Sequence, residues 1–300
     1  PDLQLVSNQS LDAQKSRYQT IDNVVAPSQN NETVFNPQLK ADLTYIIVNE
    51  AKQLGYDFSA MSLIKNPTGE YIGIGEDKNP KPAPSINKVA IAFAAAYLAQ
   101  QKSIDLENLK IDFDPKLDKD CILERELGRY AIFKEKGKIS YRQLRELMLR
   151  ESVNTSGNVI LKYIGNGSMA EGQRIVEGVM TEMGLNDIKI SHYLPDGEYL
   201  NGKTSTENAA RLQSYIAQGK YLKPEYLKPI KEDLENERHL DFVRTILGSG
   251  AATKITFLKE GTGFAFHFND YSGAVLFNDP KRPLWTDERV NDAMSIRKFE

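Results

Sequence analysis

The sequence predicts a mixed α/β chain in which β-strands near both ends enclose a long, mainly helical middle. Three observations carry that reading. Two β-type runs meet at Asn66-Pro67-Thr68-Gly69, a turn built from residues that favour chain reversal. The run from Val89 to Leu98, Val-Ala-Ile-Ala-Phe-Ala-Ala-Ala-Tyr-Leu, is apolar and alanine-rich, the composition of a buried helix. From Lys254 to Asn278 β-type residues return and predict two or three further strands.

Taken in order, Pro1 to Asn36 is rich in Asn, Gln, Ser and Asp and lacks apolar periodicity. Residues 1–38 therefore read as a polar arm, the kind of tether that follows a removed signal sequence. A helical pattern begins at Pro37 and runs through Ile47, and residues 39–300 read as the folded domain. The stretch from Asp105 to Gly137 is charged and predicts few strands. Lys138 to Glu151 places Leu144, Leu147 and Met148 on one helix face. A terminal helix is expected near Asp287 to Arg297.

Composition excludes several function classes. At 300 residues, 40% hydrophobic and a net charge of −3, the chain has length for a sizeable core and no nucleic-acid footprint. No run approaches the ~20 apolar residues of a membrane span. Cys121 is the single cysteine, so no internal disulfide forms, and no ligand set for a metal accompanies it. His192, His239 and His267 are scattered, and no Gly-x-Ser-x-Gly elbow supports a serine–histidine triad. Gly197 to Thr204 fits the phosphate-loop expression Gly-x4-Gly-Lys-Thr. Glu198, Tyr199 and Leu200 inside it argue against a close anion cradle, and a polar loop is the preferred reading.

Ser85-Ile86-Asn87-Lys88 stands where the apolar helix should begin. A serine and a lysine three apart on a helix share a face, so the amine can take the hydroxyl proton. The helix N-terminus favours the negative charge that develops nearby. Ser62 to Lys65 and Ser295 to Lys298 match the same pattern, but only Ser85 opens an apolar helix. Ser152-Val153-Asn154 follows the second helix, and Lys259-Glu260-Gly261-Thr262 sits at the junction of two predicted strands.

In order and spacing these three segments resemble the Ser-x-x-Lys, Ser-Asp-Asn and Lys-Thr-Gly set of class A β-lactamases and penicillin-binding proteins. The resemblance covers roughly residues 40 to 300. It includes the helix, loop and helix from Ile139 to Gly165, the threonine-rich helix start at Thr204-Ser205-Thr206, and the strand from Asn269 to Val275. It implies a class A β-lactamase-like fold: an antiparallel sheet built from N- and C-terminal segments with flanking helices, and a mainly helical lobe inserted at about 85–205. Three departures stand out. Val153 replaces the usual aspartate, Glu260 interrupts the third motif, and Gly197 stands at the place of the deacylating glutamate, with Asp196 and Glu198 beside it.

The resemblance further implies Ser85 as nucleophile, Lys88 as general base and Ser152 as proton relay to the leaving nitrogen. Asn154 would bind the substrate's side-chain amide, and Lys259 and Thr262 its carboxylate. The backbone N–H groups of Ser85 and Thr262 would form the oxyanion hole. Lys259 would depress Lys88 by like-charge repulsion. Glu198 or Asp196 would be the substitute deacylation base, and Asn158 a brace beneath the site. No cofactor or metal is required. The implied partner is a small-molecule β-lactam or a peptidoglycan peptide, and the implied location the bacterial periplasm or the exterior. A β-lactam hydrolase, a D-alanyl-D-alanine peptidase and a non-catalytic or esterase-like relative remain alternatives. The missing glutamate favours the second, and the altered motifs the third.

Overall fold

The computed structural model describes residues 57–193, 199–200, 202–237, 252–258, 261–268 and 270–278. The expected polar arm, the helix at 37–47 and the terminal helix lie outside these residues.

Five strands form one antiparallel sheet: β1 (Asp57–Lys65), β2 (Glu70–Gly75), β9 (Ala252–Leu258), β10 (Gly261–Phe268) and β11 (Tyr271–Asn278), in the order β2-β1-β11-β10-β9. β1 pairs with β11 across most of the chain's length, so the sheet joins the two β-rich ends, as the sequence implied. β1 and β2 meet at the expected turn, where Gly69 takes a φ of 72° and its N–H bonds the carbonyl of Lys65. Along β10, Phe264 and Phe266 pack with Met61, Ile72 and Val275 on one face of the sheet. Ala265 packs with Ala83, Ile86 and Ala274 on the other. The period of two thus separates an outer apolar layer from the face that meets the helices.

Between these ends run α1 (Lys88–Gln101), α2 (Glu124–Leu127), α3 (Tyr141–Arg150), α4 (Asn154–Ile164), α5 (Met169–Glu182), α6 (Thr206–Gln218) and α7 (Pro224–Glu235). α1 is apolar on every side and is buried from Lys88 through Tyr97, as a helix surrounded by protein must be. It packs against α3, α4, α5 and α7. Burial of Val89, Ile91 and Phe93 contributes about 1.5–3 kcal/mol each, and the intervening alanines admit close neighbours. α6 lies across β1, β10 and β11 and links the helical core to the sheet.

The segment read as strand-poor carries β4 (Lys110–Phe113), which pairs antiparallel with β5 (Gly137–Ser140) at and beyond its end. In β4 the residues alternate between exposed and buried, with Ile111 and Phe113 inward. Four residues with two charges give too little signal to mark a strand. The phosphate-loop reading fails on the residues described. Lys203 and Thr204 form a two-residue strand, β8, against Lys81–Pro82 (β3), and Lys203 spends its N–H on Lys189.

Candidate active site

Ser85 lies one turn ahead of α1 rather than in it. Ala83 to Val89 is a tight turn in which the N–H of Lys88 bonds the Ser85 carbonyl, and Asn87 occupies the N-cap position. Asn87 does not cap. Its side-chain amide donates to the carbonyls of Lys189 and Lys203, which pins the loop behind the site to the start of α1. The turn keeps Ser85 half-exposed while Lys88, the first residue of the helix, is 2% exposed.

The second segment meets Lys88 directly. α3 ends at Arg150, Ser152 adopts a φ of 57°, and α4 starts at Asn154. That left-handed residue turns its carbonyl and hydroxyl back toward α1. Lys88 Nζ donates to the Ser152 carbonyl at 2.6 Å, to Ser152 Oγ at 3.0 Å and to Asn154 Oδ1 at 2.5 Å. Ser152 Oγ stands 3.5 Å from Ser85 Oγ. The hydroxyls and the amine therefore form a chain, Ser85–Ser152–Lys88, with Ser152 in the middle. The sequence suggested a direct serine–lysine contact; the hydrogen bonds described to Lys88 run instead to Ser152 and Asn154. The ring of Tyr193 faces the amine, 5.4 Å from its centroid.

Burial holds Lys88 well below the ordinary lysine range, and the cation of Lys254 adds to the depression. Glu126 acts in the opposite sense, Arg125 pushes down again, and Glu237 pulls up. The positive end of α1 works against the ammonium as well. Lys254 is itself wholly buried, with its amine 3.4 Å from Glu237 Oε1. It stands opposite Ala265 in the β9–β10 ladder. Directly opposed residues share a face, so Lys254 lies on the face where Ala265 packs with Ala83 and Ile86, the neighbours of Ser85.

Lys259, Glu260, Asp196, Gly197 and Glu198 lie outside the described residues. Thr262 lies in β10, opposite Phe257 of β9 and Phe277 of β11. A strand with neighbours on both sides commits its backbone to the sheet, which argues against Thr262 as an oxyanion donor. β9 is an edge strand among the described residues. Asn158 braces as expected: its amide donates to the carbonyls of Cys121 and Tyr193 and its oxygen accepts from the Tyr193 N–H. Ser62, of the first Ser-x-x-Lys match, is buried against Tyr71 and Thr206 and is structural. Burial pushes the Cys121 thiol up to about 12, which leaves it unreactive. Sequence reading missed Lys254, Glu237, Tyr193 and Glu126. A lysine within a strand and a Glu-Arg-Glu run both look solvated until their distant partners are known.

Among the described residues no group of three or more His, Cys, Asp or Glu is placed to hold a metal ion, and no helix is long and apolar enough to cross a membrane.

An antiparallel sheet completed by both ends of the chain, with Ser-x-x-Lys at the head of its buried helix, is the arrangement of the serine β-lactamase and penicillin-binding-protein-like superfamily. Comparison with known proteins agrees. The sequence model of the β-lactamase enzyme family matches residues 38–252, and the chain belongs to that family. Solved structures share the fold at low identity. A β-lactamase from Chitinophaga pinensis DSM 2588 is 16% identical with a TM-score of 0.63, over 80% of this chain and 93% of that one. PBP-A is 22% identical with a TM-score of 0.64, over 80% and 88%. The TLA-1 extended spectrum β-lactamase is 13% identical with a TM-score of 0.66, over 80% and 90%. No curated protein matches in sequence.

Proposed function

We propose that the protein is an active-site serine hydrolase that opens β-lactam amides through an acyl-enzyme on Ser85. The observation that carries this reading is the hydroxyl–hydroxyl–amine chain from Ser85 through Ser152 to the desolvated Lys88. With Lys88 neutral, its two remaining N–H groups suffice for the Ser152 carbonyl and Asn154 Oδ1, and its lone pair faces the Ser152 hydroxyl. As Ser85 Oγ bonds to the lactam carbonyl carbon, its proton passes to Ser152 Oγ, and the proton of Ser152 passes to Lys88. When the carbon–nitrogen bond breaks, Ser152 gives its proton to the leaving nitrogen and recovers one from Lys88. The Asn154 amide N–H2 points the other way from its lysine-bound oxygen and binds the substrate's side-chain carbonyl.

The cation we assign to the site is Lys254, in the place given by sequence to Lys259, because its charge acts on Lys88 and its face is that of Ser85. For the oxyanion hole we pair the Ser85 N–H with an outward N–H of the edge strand β9 rather than with Thr262. Fixed donors of this kind stabilise charge that appears only in the transition state. Water then releases the acyl group, slowly, since Gly197 replaces the usual base and only Asp196 and Glu198 adjoin it. Such chemistry suits a periplasmic or extracellular setting.

A D-alanyl-D-alanine peptidase is the second reading, favoured by that same missing glutamate. Incubation with a chromogenic cephalosporin and a fluorescent penicillin separates the two. Catalytic turnover of the cephalosporin supports hydrolysis, a long-lived label supports the peptidase, and the absence of both defeats each.

A further inference from the structure

α4 carries Ser152 and Asn154 at its head, yet the residue at its N-cap is Val153, which has no acceptor to offer. The first N–H groups of a helix need partners from outside it. Here they come from the charged segment upstream. Glu126 Oε1 accepts from the Asn154 N–H at 3.0 Å, and Oε2 accepts from the Thr155 N–H at 2.7 Å, across 28 and 29 residues of sequence. The tie is reciprocal, because Thr155 Oγ1 accepts from the Leu123 N–H at 3.1 Å. Glu126 is only 8% exposed, so these bonds are shielded from water.

The turn held in this way is a demanding one. Ser152 occupies left-handed backbone, which costs a residue with a Cβ of the order of 1–3 kcal/mol and persists only where the surroundings fix it. All three hydrogen bonds described for Lys88 end on this turn and on the first residue of α4. A shift of α4 along its axis would move all three acceptors and the middle hydroxyl of the proton chain together.

We infer that Glu126 is a positioning residue for acylation: it caps α4 from a distance and so holds Ser152 and Asn154 against Lys88, supplying the acceptor that Val153 lacks. An aspartate, serine or threonine at position 153 would offer such an acceptor from within the turn. The inference rests on Ser85 being the acylated residue.

The test is E126Q in the full chain, with fluorescent penicillin as probe. Glutamine presents one acceptor and one donor group to two N–H groups, so one bond is lost and a donor faces a donor. The acylation rate constant is expected to fall about 10- to 100-fold, as for other sub-ångström misplacements of a reacting group. The dissociation constant of the complex before acylation should rise by less than the rate constant falls, since Glu126 touches no substrate and, of the groups it positions, only Asn154 binds it. That split separates positioning from general loss of folded protein. E126Q/V153T guards against a variant that simply unfolds, because threonine has the shape of valine and brings a hydroxyl to the N-cap. Recovery of the rate by about tenfold or more in the double variant supports the inference. An E126Q rate within twofold of the natural chain overturns it, as does a double variant that melts like the natural chain yet stays as slow as E126Q. A natural chain that takes no label at all defeats the proposed function instead, so the two failures are distinguishable.

Discussion

Replacing Lys254 with methionine should move the acid limb of acylation toward higher pH. The substitution keeps most of the side chain's length in a wholly buried position and removes its charge. Lys254 is the strongest charge depressing Lys88, after burial itself. Two like charges held away from water repel far more strongly than the same pair in bulk solvent. Loss of Lys254 therefore lets Lys88 hold its proton to higher pH. Glu237, left without its partner, acts in the same direction, and if it takes up a proton the loss of repulsion still remains. The neutral, basic form of Lys88 then appears only at higher pH, and the limb should move upward. Single-turnover acylation by a fluorescent penicillin, followed by stopped flow from about pH 5 to 10, reads this directly. Breaking a buried ion pair costs about 3–5 kcal/mol, so Lys254→Met will be less stable. The double variant Lys254→Met/Glu237→Leu carries no unpaired carboxylate and should shift the same way by less. A limb that stays in place or falls, in variants that remain folded, would refute the assignment of Lys254 to the site.

Three further outcomes follow from particular residues. Ser152→Gly should lose acylation by ~10²-fold or more, for want of the middle hydroxyl, yet melt no lower than the natural chain, because glycine accepts the φ of 57° that serine resists; a melting point several degrees lower would contradict the strain. Burial depresses His267 to about 4. The unfolded chain, with its histidine near 6.5, then binds the proton more tightly, so stability should be lost as pH falls from about 6.5 to about 4, by at most about 3 kcal/mol. Urea unfolding at the two ends of that window should show the loss, and His267→Gln should flatten it. Turnover of a good β-lactam should show a burst near one equivalent followed by a slow phase, since removal of a general base costs ~10²–10⁴ in rate. A fast steady state without a burst, unchanged in Asp196→Asn and Glu198→Gln, would place the deacylation base elsewhere.

The sheet was legible because its strands are runs of β-type residues and its first turn carries Pro and Gly, and α1 because a run so apolar has no place but the interior. Ser85, Lys88, Ser152 and Asn154 could be named in advance, since local motifs fix them and the fold brings them within hydrogen-bond reach of one another. What the sequence concealed depends on long-range partners. Lys254 looks like a solvated strand lysine until α7 and the chain beyond it bring Glu237 to its amine. Lys259, to which local pattern drew attention, lies outside the described residues. Glu126 sits in a charged run, and its meaning comes from two N–H groups that lie 28 and 29 residues later. The cap of α1 falls two residues beyond Ser85, although a serine before an apolar helix is ordinarily its cap. Here Asn87 takes that position and spends its amide on the loop behind.

The central claim is that Ser85 becomes acylated. Intact-mass measurement after treatment with a penicillin should show a single adduct of the mass of the drug on the natural chain and none on Ser85→Ala. An adduct that persists in Ser85→Ala would contradict the account and place the nucleophile on another residue.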